Sequence, residues 1–310
     1  MINLLKKIIN KFLSANKIFI LYRLGNAIGD QLLMTGVAKL IKKKYNYNII
    51  ILTKFPELFE NNPNIYKTYK ITTQSFFSNI FVKLLKKINS DFIKEFMHES
   101  ADKKIFNLKN YQSIHIANYH SLNLNLNLKF KNYKNEIFFS DKEHKFFKEN
   151  LNLPCKFALI QSQSKTSFTP NREWGLQNFQ KIVDSTPQIN WIQIGKKTDT
   201  QIRNTYSFYT KFNLRELAYI IYRSRLLLCL EGFYYHLANS FRTKKILIMS
   251  GFMSVKNIYY KNNNNIIVKN IDNLKCYPCY KLYKCDIPNK PCTNLISYKF
   301  VLKKVLKNYS

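Results

Sequence analysis

Tyr22-Arg23-Leu24-Gly25-Asn26-Ala27-Ile28-Gly29-Asp30-Gln31 follows a β-branched run, Ile18 to Leu21, and opens directly into a helical pattern. A strand that passes through two glycines into an acid at a helix start is how an open α/β sheet offers backbone N–H groups and a helix dipole to a ligand. Gly25 and Gly29, with Asn26 between them, would let another molecule approach the main chain closely, as a phosphate or acceptor loop must. Asp30 has two readings here. It can cap the helix by accepting bonds from the first turn, or it can face a reacting molecule. The Gly-x-x-x-Gly spacing is neither the G-x-G-x-x-G of a dinucleotide site nor a P-loop.

Outward from this turn, strand and helix patterns alternate. Ile18 to Leu21, Asn48 to Leu52 and Ser113 to Ala117 read as strands; Asp30 to Lys44 and a stretch near Phe76 to Met97 read as helices. Asn118 to Asn135, rich in Asn and Lys, reads as a loop or a mobile strand. A second series follows the polar helix Asp141 to Asn150. Its expected strands are Phe157 to Gln161, Asn190 to Ile194, Leu226 to Leu230 and Lys245 to Met249. Its expected helices are Trp174 to Val183, Leu214 to Tyr222, Tyr234 to Phe241 and a terminal one from Leu295 to Leu306. Such alternation predicts parallel sheets with crossover helices. Two α/β domains are expected, residues 1–145 and 146–310, with a ligand cleft between the carboxyl edges of their strands.

At 310 residues, 46% hydrophobic and 15% aromatic, the chain has ample apolar side chain to form cores. Its formal charge of +32 admits a nucleic-acid binder, a protein held at an anionic membrane, or a surface filled with lysine by compositional bias. No RNP motif, helix-turn-helix or zinc-finger helix accompanies the charge, so no nucleic-acid partner is expected. Residues 1 to 13 place Ile2, Leu4, Leu5, Ile8, Ile9, Phe12 and Leu13 at helical spacing, with Lys6, Lys7 and Lys11 between them. That pattern suits a helix lying in a bilayer interface or one packed on the first domain. With no stretch apolar enough to span a membrane, the expected location is cytoplasmic, peripheral on the inner face of the cytoplasmic membrane.

Three further stretches have chemical potential. Gln161 to Lys165 ends a strand and leads to Asn171-Arg172-Glu173-Trp174-Gly175, where Lys165 and Arg172 are either surface charges or phosphate ligands. Leu230-Glu231-Gly232-Phe233-Tyr234-Tyr235-His236 is a strand end, an acid and a glycine before a helix. Here Glu231 can accept bonds from hydroxyls, and His236 either orients the loop or acts directly. Ser250-Gly251 ends another strand, as a ligand-facing turn or a simple stop.

Taken in order, these motifs resemble glycosyltransferase family 9, the heptosyltransferases of lipopolysaccharide assembly. The resemblance is carried first by Tyr22 to Tyr45, the strand Asn48 to Leu52 and the turn Asn61-Asn62-Pro63-Asn64-Ile65. Arg172 then falls two positions before Trp174, where the family has a basic residue associated with the donor's phosphates. His236 stands five residues after Glu231, the family's spacing, although the family's acid is usually Asp and its glycine commonly falls at Phe233. The resemblance implies two Rossmann-like domains facing across a cleft, the glycosyltransferase B fold, with the terminal helix crossing back over the junction.

Its functional implications are equally definite. A heptose, from ADP-heptose as first choice, would pass with inversion to a lipopolysaccharide core or other lipid-linked surface glycan. Asp30 would be the base, and Lys165, Arg172, Glu231, Gly232, His236, Ser250 and Gly251 would surround the donor. Cationic groups would do what magnesium does elsewhere, so no cofactor is expected for catalysis. The alternatives are transfer from another nucleotide-sugar, a nucleic-acid-binding protein, or a catalytically silent scaffold.

Four of the six cysteines, Cys276, Cys279, Cys285 and Cys292, lie within one Pro-containing stretch. Such spacing suits thiolate coordination of structural zinc, or less commonly iron; free thiols are the alternative in a cytoplasmic protein. Cys155 and Cys229 read as isolated buried thiols.

Overall fold

The structure, a computed structural model, describes residues 2–71, 76–97, 111–209, 212–261 and 264–309. It divides into two compact units, Met1–Ser140 and Asp141–Ser310.

The first unit carries α1 (Ile2–Ala15), β1 (Ile18–Tyr22), α2 (Ile28–Tyr45), β2 (Asn48–Thr53), β3 (Lys67–Lys70), α3 (Phe76–Ile88), β4 (Ile93–Glu95) and α4 (Ile116–Ser121). Its sheet is wholly parallel in the order β3-β2-β1-β4. β1 and β2 are mostly apolar and supply buried residues to the core, as central parallel strands must. β3 begins and ends in lysine and is largely exposed, which discourages further pairing at that edge.

Two expectations fail in this unit. The helix expected through Met97 stops at Ile88, because Asn89 turns left-handed with φ 45° and the chain re-enters the sheet as β4. Ser113 to Ala117 is no strand. Its alternating pattern belongs to a short 3-10 turn, Tyr111–Ser113, and to α4, which His115 caps by accepting from the Ala117 N–H at 3.1 Å.

The chain then returns in extended form along α2. Tyr133 donates its hydroxyl to the Leu33 carbonyl at 2.7 Å, and the buried Glu136 carboxylate takes Lys39 and Asn64. Gly36 permits this approach: a Cβ there would lie 2.2 Å from the Lys134 carbonyl oxygen and 2.7 Å from the Tyr133 ring. Gly36→Ala should therefore destabilise the protein by about 1–3 kcal/mol, since a backbone oxygen cannot move aside as a side chain can. Urea denaturation would measure this; unchanged stability would mean that the strap is loose.

The second unit carries α5 (Asp141–Asn150), β5 (Ala158–Gln161), α6 (Leu176–Asp184), β6 (Trp191–Gly195), β7 (Tyr206–Tyr209), α7 (Leu214–Arg223), β8 (Leu226–Leu230), α8 (Phe233–Ala238), β9 (Lys244–Met249), α9 (Val255–Ile258), β10 (Asn265–Lys269), α10 (Pro291–Asn294) and α11 (Tyr298–Tyr309). All six strands are parallel, in the order β10-β9-β8-β5-β6-β7. Counted within the unit, this is the doubly wound Rossmann order, with its reversal between β5 and β8. α5 belongs here through the Glu143 pair with Arg215 at 2.8 Å, so the expected boundary after residue 145, which would cut that helix, moves to Ser140.

Trp174 is not the first residue of a helix. It is a buried anchor whose Nε1 donates to the Ile296 carbonyl at 2.9 Å, and Gly175, at φ 97°, turns the chain into α6. α11 starts later than expected and buries Val301 and Val305 in the core of its own unit, against α6. Among the described residues, no helix is long and apolar enough to cross a membrane.

Candidate functional site

In the first unit the strand order reverses between β1 and β4, and the predicted reactive segment starts at the carboxyl end of β1. Arg23, directly after β1, donates Nη1 to the Phe96 carbonyl beyond β4 at 2.8 Å, so its guanidinium spans the reversal point. Its other terminal nitrogen is bonded to the Asp30 carboxylate. Asp30 lies in the first turn of α2, but it does not cap the helix: the N-cap is Ala27, with no side-chain cap bond. The carboxylate is held by Arg23 and keeps 23% of its side-chain surface exposed, so it is oriented yet reachable.

His120 completes the group. It is buried, its Nε2 lies 3.8 Å from Asp30 Oδ1, and neither ring nitrogen has a hydrogen-bond partner. Gly29, expected in the loop, lies in the first turn of α2, and the Gly25 to Ala27 loop before it is fixed from beneath by Gln31, which is wholly buried. Its Nε2 donates to the Gly25 carbonyl at 2.6 Å, and its Oε1 accepts from the Thr53 hydroxyl and from the Lys54 N–H at 3.1 Å. Lys54 also donates to Asn26 Oδ1 at 2.6 Å.

Arg23, Gln31 and His120 were not singled out in the sequence. Arg23 and Gln31 stood within the quoted segment, where an arginine before an acid was the available signal. His120 lay in a stretch with no legible pattern.

In the second unit Arg172, Glu231 and Ser250 come together around the ends of β8 and β9. Glu231 is buried; its Oε1 accepts from the Ser250 N–H at 2.8 Å and the Ser250 hydroxyl at 2.6 Å, and its Oε2 faces Arg172 Nε at 3.9 Å. The Arg172 guanidinium sits over the rings of Phe168 and Phe252, 5.0 Å from each centroid. Such aromatic flanking fixes a cation without consuming its fork of donors. Burial raises the Glu231 carboxyl above its usual range, against the opposing pull of Arg172 and Ser250.

The remaining predicted residues divide. Glu231, expected to take sugar or ribose hydroxyls, bonds Ser250 through Oε1, whereas its buried Oε2 has no hydrogen-bond partner and faces Arg172 at ion-pair distance. Gly232 adopts φ 150°, with open space where a side chain would stand. His236 is buried and bonded through Nδ1 to the Tyr260 hydroxyl at 2.7 Å, the orienting arrangement. Lys165 is exposed on the loop after β5. Ser250 and Gly251 are buried, and Gly251 faces the cysteine stretch, where its carbonyl accepts from the Cys279 N–H at 2.9 Å.

That stretch is strapped to the Arg172 turn. Asn171 donates to the carbonyls of Lys281 and Tyr283 at 2.9 and 2.8 Å and accepts from the Cys285 N–H at 2.9 Å. Lys290 returns a bond to the Glu173 carbonyl at 2.9 Å. Cys276, Cys279, Cys285 and Cys292 all border one cavity of about 20 Å³. Among the described residues, however, no group of three or more Cys, His, Asp or Glu side chains converges into a metal-binding cluster. Burial raises the thiol pKa of Cys279 and of Cys292. Cys229 is buried as expected, whereas Cys155 is exposed because it lies in the connection before β5.

Neither a protein-family model nor a curated protein matches the chain. Solved structures do. A glycosyl transferase family 9 protein from Veillonella parvula is 15% identical, with 94% of this chain and 96% of that one covered at a TM-score of 0.68. ADP-heptose lps heptosyltransferase II of E. coli is 9% identical, with 94% and 98% covered at 0.67. TibC, described as an iron-containing dodecameric glycosyltransferase from enterotoxigenic E. coli H10407, is 13% identical, with 94% and 77% covered at 0.64; it is also known in complex with ADP-D-beta-D-heptose. Over nearly its whole length, therefore, this chain shares the two-domain α/β fold of structures described as family 9 glycosyltransferases and heptosyltransferases.

Proposed function

We propose that the protein is an inverting glycosyltransferase that moves a heptose from ADP-heptose to a lipopolysaccharide core or related surface-glycan acceptor. The observation that carries this reading is the arginine seated between two aromatic rings beside the reversal point of a doubly wound sheet, where such folds take their ligands. The shared fold supports it, because TibC is known with ADP-heptose.

In this reading the acceptor hydroxyl oxygen attacks the anomeric carbon while the bond from that carbon to the diphosphate breaks. Asp30 takes the hydroxyl proton as it becomes acidic in the transition state. The nucleoside diphosphate departs with the electron pair, and Arg172, Lys165 and the N–H groups after Gly232 stabilise its charge. Glu231 and Ser250 act indirectly, by holding Arg172 in place. The charge is met by protein groups, so turnover should not require added magnesium or manganese.

A thermal-shift screen of nucleotides and nucleotide-sugars tests the donor class. Selective stabilisation by ADP or ADP-heptose is expected, by about 2.7 kcal/mol at a hundredfold excess over Kd. A preference for another nucleotide would change the donor, and no response to any would remove the reading. Arg172→Ala should weaken ADP binding about 10- to 100-fold in titration calorimetry, with Arg172→Lys intermediate. Equal affinity in all three forms would take Arg172 out of the site.

We also propose that the four cysteines hold a structural metal, zinc or iron. The support is the donor chemistry: four thiols border one small cavity, and although they do not converge among the described residues, a metal that drew them together would displace the protons that burial keeps on Cys279 and Cys292. Elemental analysis should find close to one ion per chain, lost in Cys279→Ser. Folded, metal-free protein would refute the assignment.

A further inference from the structure

We infer that the outer face formed by α1 and α3 is a docking surface for an anionic lipid bilayer. The two helices pack against each other and contribute Leu13, Val82 and Leu85 to one core cluster with Tyr22, Leu52 and Ile93 of the sheet. Each then leaves half of its apolar arc uncovered. On α1, Leu4, Ile8 and Phe12 repeat every four residues and are exposed, Phe12 at 61%. On α3, Ile80 and Leu84 stand four residues apart with Phe81 between them, and all three are exposed at 44 to 49%. Large apolar side chains exposed on two touching helices differ from the single exposed residues of an ordinary surface.

Lysines border the patch in a repeated way. Lys7 follows Leu4 by three residues, Lys11 follows Ile8, Lys83 follows Ile80 and Lys87 follows Leu84, and all four amines are exposed. On a helix that offset sets each amine beside the apolar stripe, one turn along. A bilayer interface matches both parts: the acyl boundary receives the apolar stripes, and anionic headgroups receive the amines. A second copy of this chain fits poorly. It would press lysine rows of a +32 protein against their own kind.

The test is co-sedimentation of the full chain with vesicles, and it uses no enzymatic readout, so its outcome is independent of the transferase assignment. The chain should pellet with phosphatidylcholine vesicles that contain phosphatidylglycerol, and far less with phosphatidylcholine alone. Ile8→Glu with Phe12→Glu should lower the bound fraction about tenfold, and Phe81→Glu with Leu84→Glu should do so to a similar extent. These positions are exposed, so circular dichroism and melting temperature should stay unchanged. Full binding by either double variant overturns the two-helix face. So does equal binding to neutral vesicles, or a wild-type dimer in light scattering that both variants convert to monomer without vesicle binding.

Discussion

Replacing Asp30 with asparagine should lower sugar transfer about 10²- to 10⁴-fold, the range that a positioned general base supplies. Interpreting that loss requires a control, because Asp30 is also the partner of the buried Arg23 guanidinium. Taking away one member of a buried pair leaves a charge unmatched and costs stability by itself. Arg23→Met breaks the same pair from the other side and leaves the carboxylate in place. If Asp30 is the base, Asp30→Asn should be nearly inactive while Arg23→Met, of similar melting temperature, keeps far more turnover. Parallel losses in the two variants would reduce Asp30 to a structural role. Donor affinity should be unchanged in both, since Asp30 is assigned to the acceptor hydroxyl.

Lys245→Met should raise stability at neutral pH by roughly 3 kcal/mol, the worth of a pKa depression of this size. Lys245 lies near the start of β9, one strand in from the edge of the second sheet, fully buried, and its amine reaches the Ala238 carbonyl at 3.4 Å. Burial pulls its pKa from 10.5 down to about 8, against the opposing effect of Cys229. The sign follows from linkage. Between about pH 8 and 10.5 the unfolded chain carries this proton and the folded chain does not, so wild-type stability rises with pH across that window. Below it, the full cost of burying a cation is present. The methionine variant removes that cost, so its advantage should be largest near pH 7 and should fade toward pH 10.5. The Ala238 carbonyl keeps the Phe241 N–H as a partner, so no acceptor is stranded. A variant less stable than wild type at pH 7 would show that the amine has a stabilising partner.

The central strands were legible because their signal is local. Ile18 to Leu21 and Leu226 to Leu230 are unbroken apolar runs, and burial on both faces demands nothing subtler. The edge strands β3, β7 and β10 were not. Lys67–Lys70 reads as surface because it is half surface, and its pairing with β2 depends on a neighbour that lies far off in sequence. β4 was absorbed into the helical pattern before it, since Ile93 and Phe96 also suit a helix period. Asp30 in the first unit, and Arg172 and Glu231 in the second, were legible as polar groups beside strand ends. Their partners were not, because Arg23 to Phe96, Gln31 to Thr53 and Asn171 to Cys285 are contacts across long stretches of chain. His120 illustrates the limit: its proximity to Asp30 arises from α4, most of which fell in the stretch read as a loop or a mobile strand.

Asn171 stands immediately before the cation that is assigned to the donor, and its amide is spent entirely on the cysteine segment. The two pieces thus behave as one mechanical part. Loosening of the segment, whether by thiol oxidation or by proteolysis, would release Arg172 from its seat while the Rossmann sheet stayed intact. The chain would then melt normally and still grip its nucleotide poorly, because the ordering of that arginine would have to be supplied at each encounter.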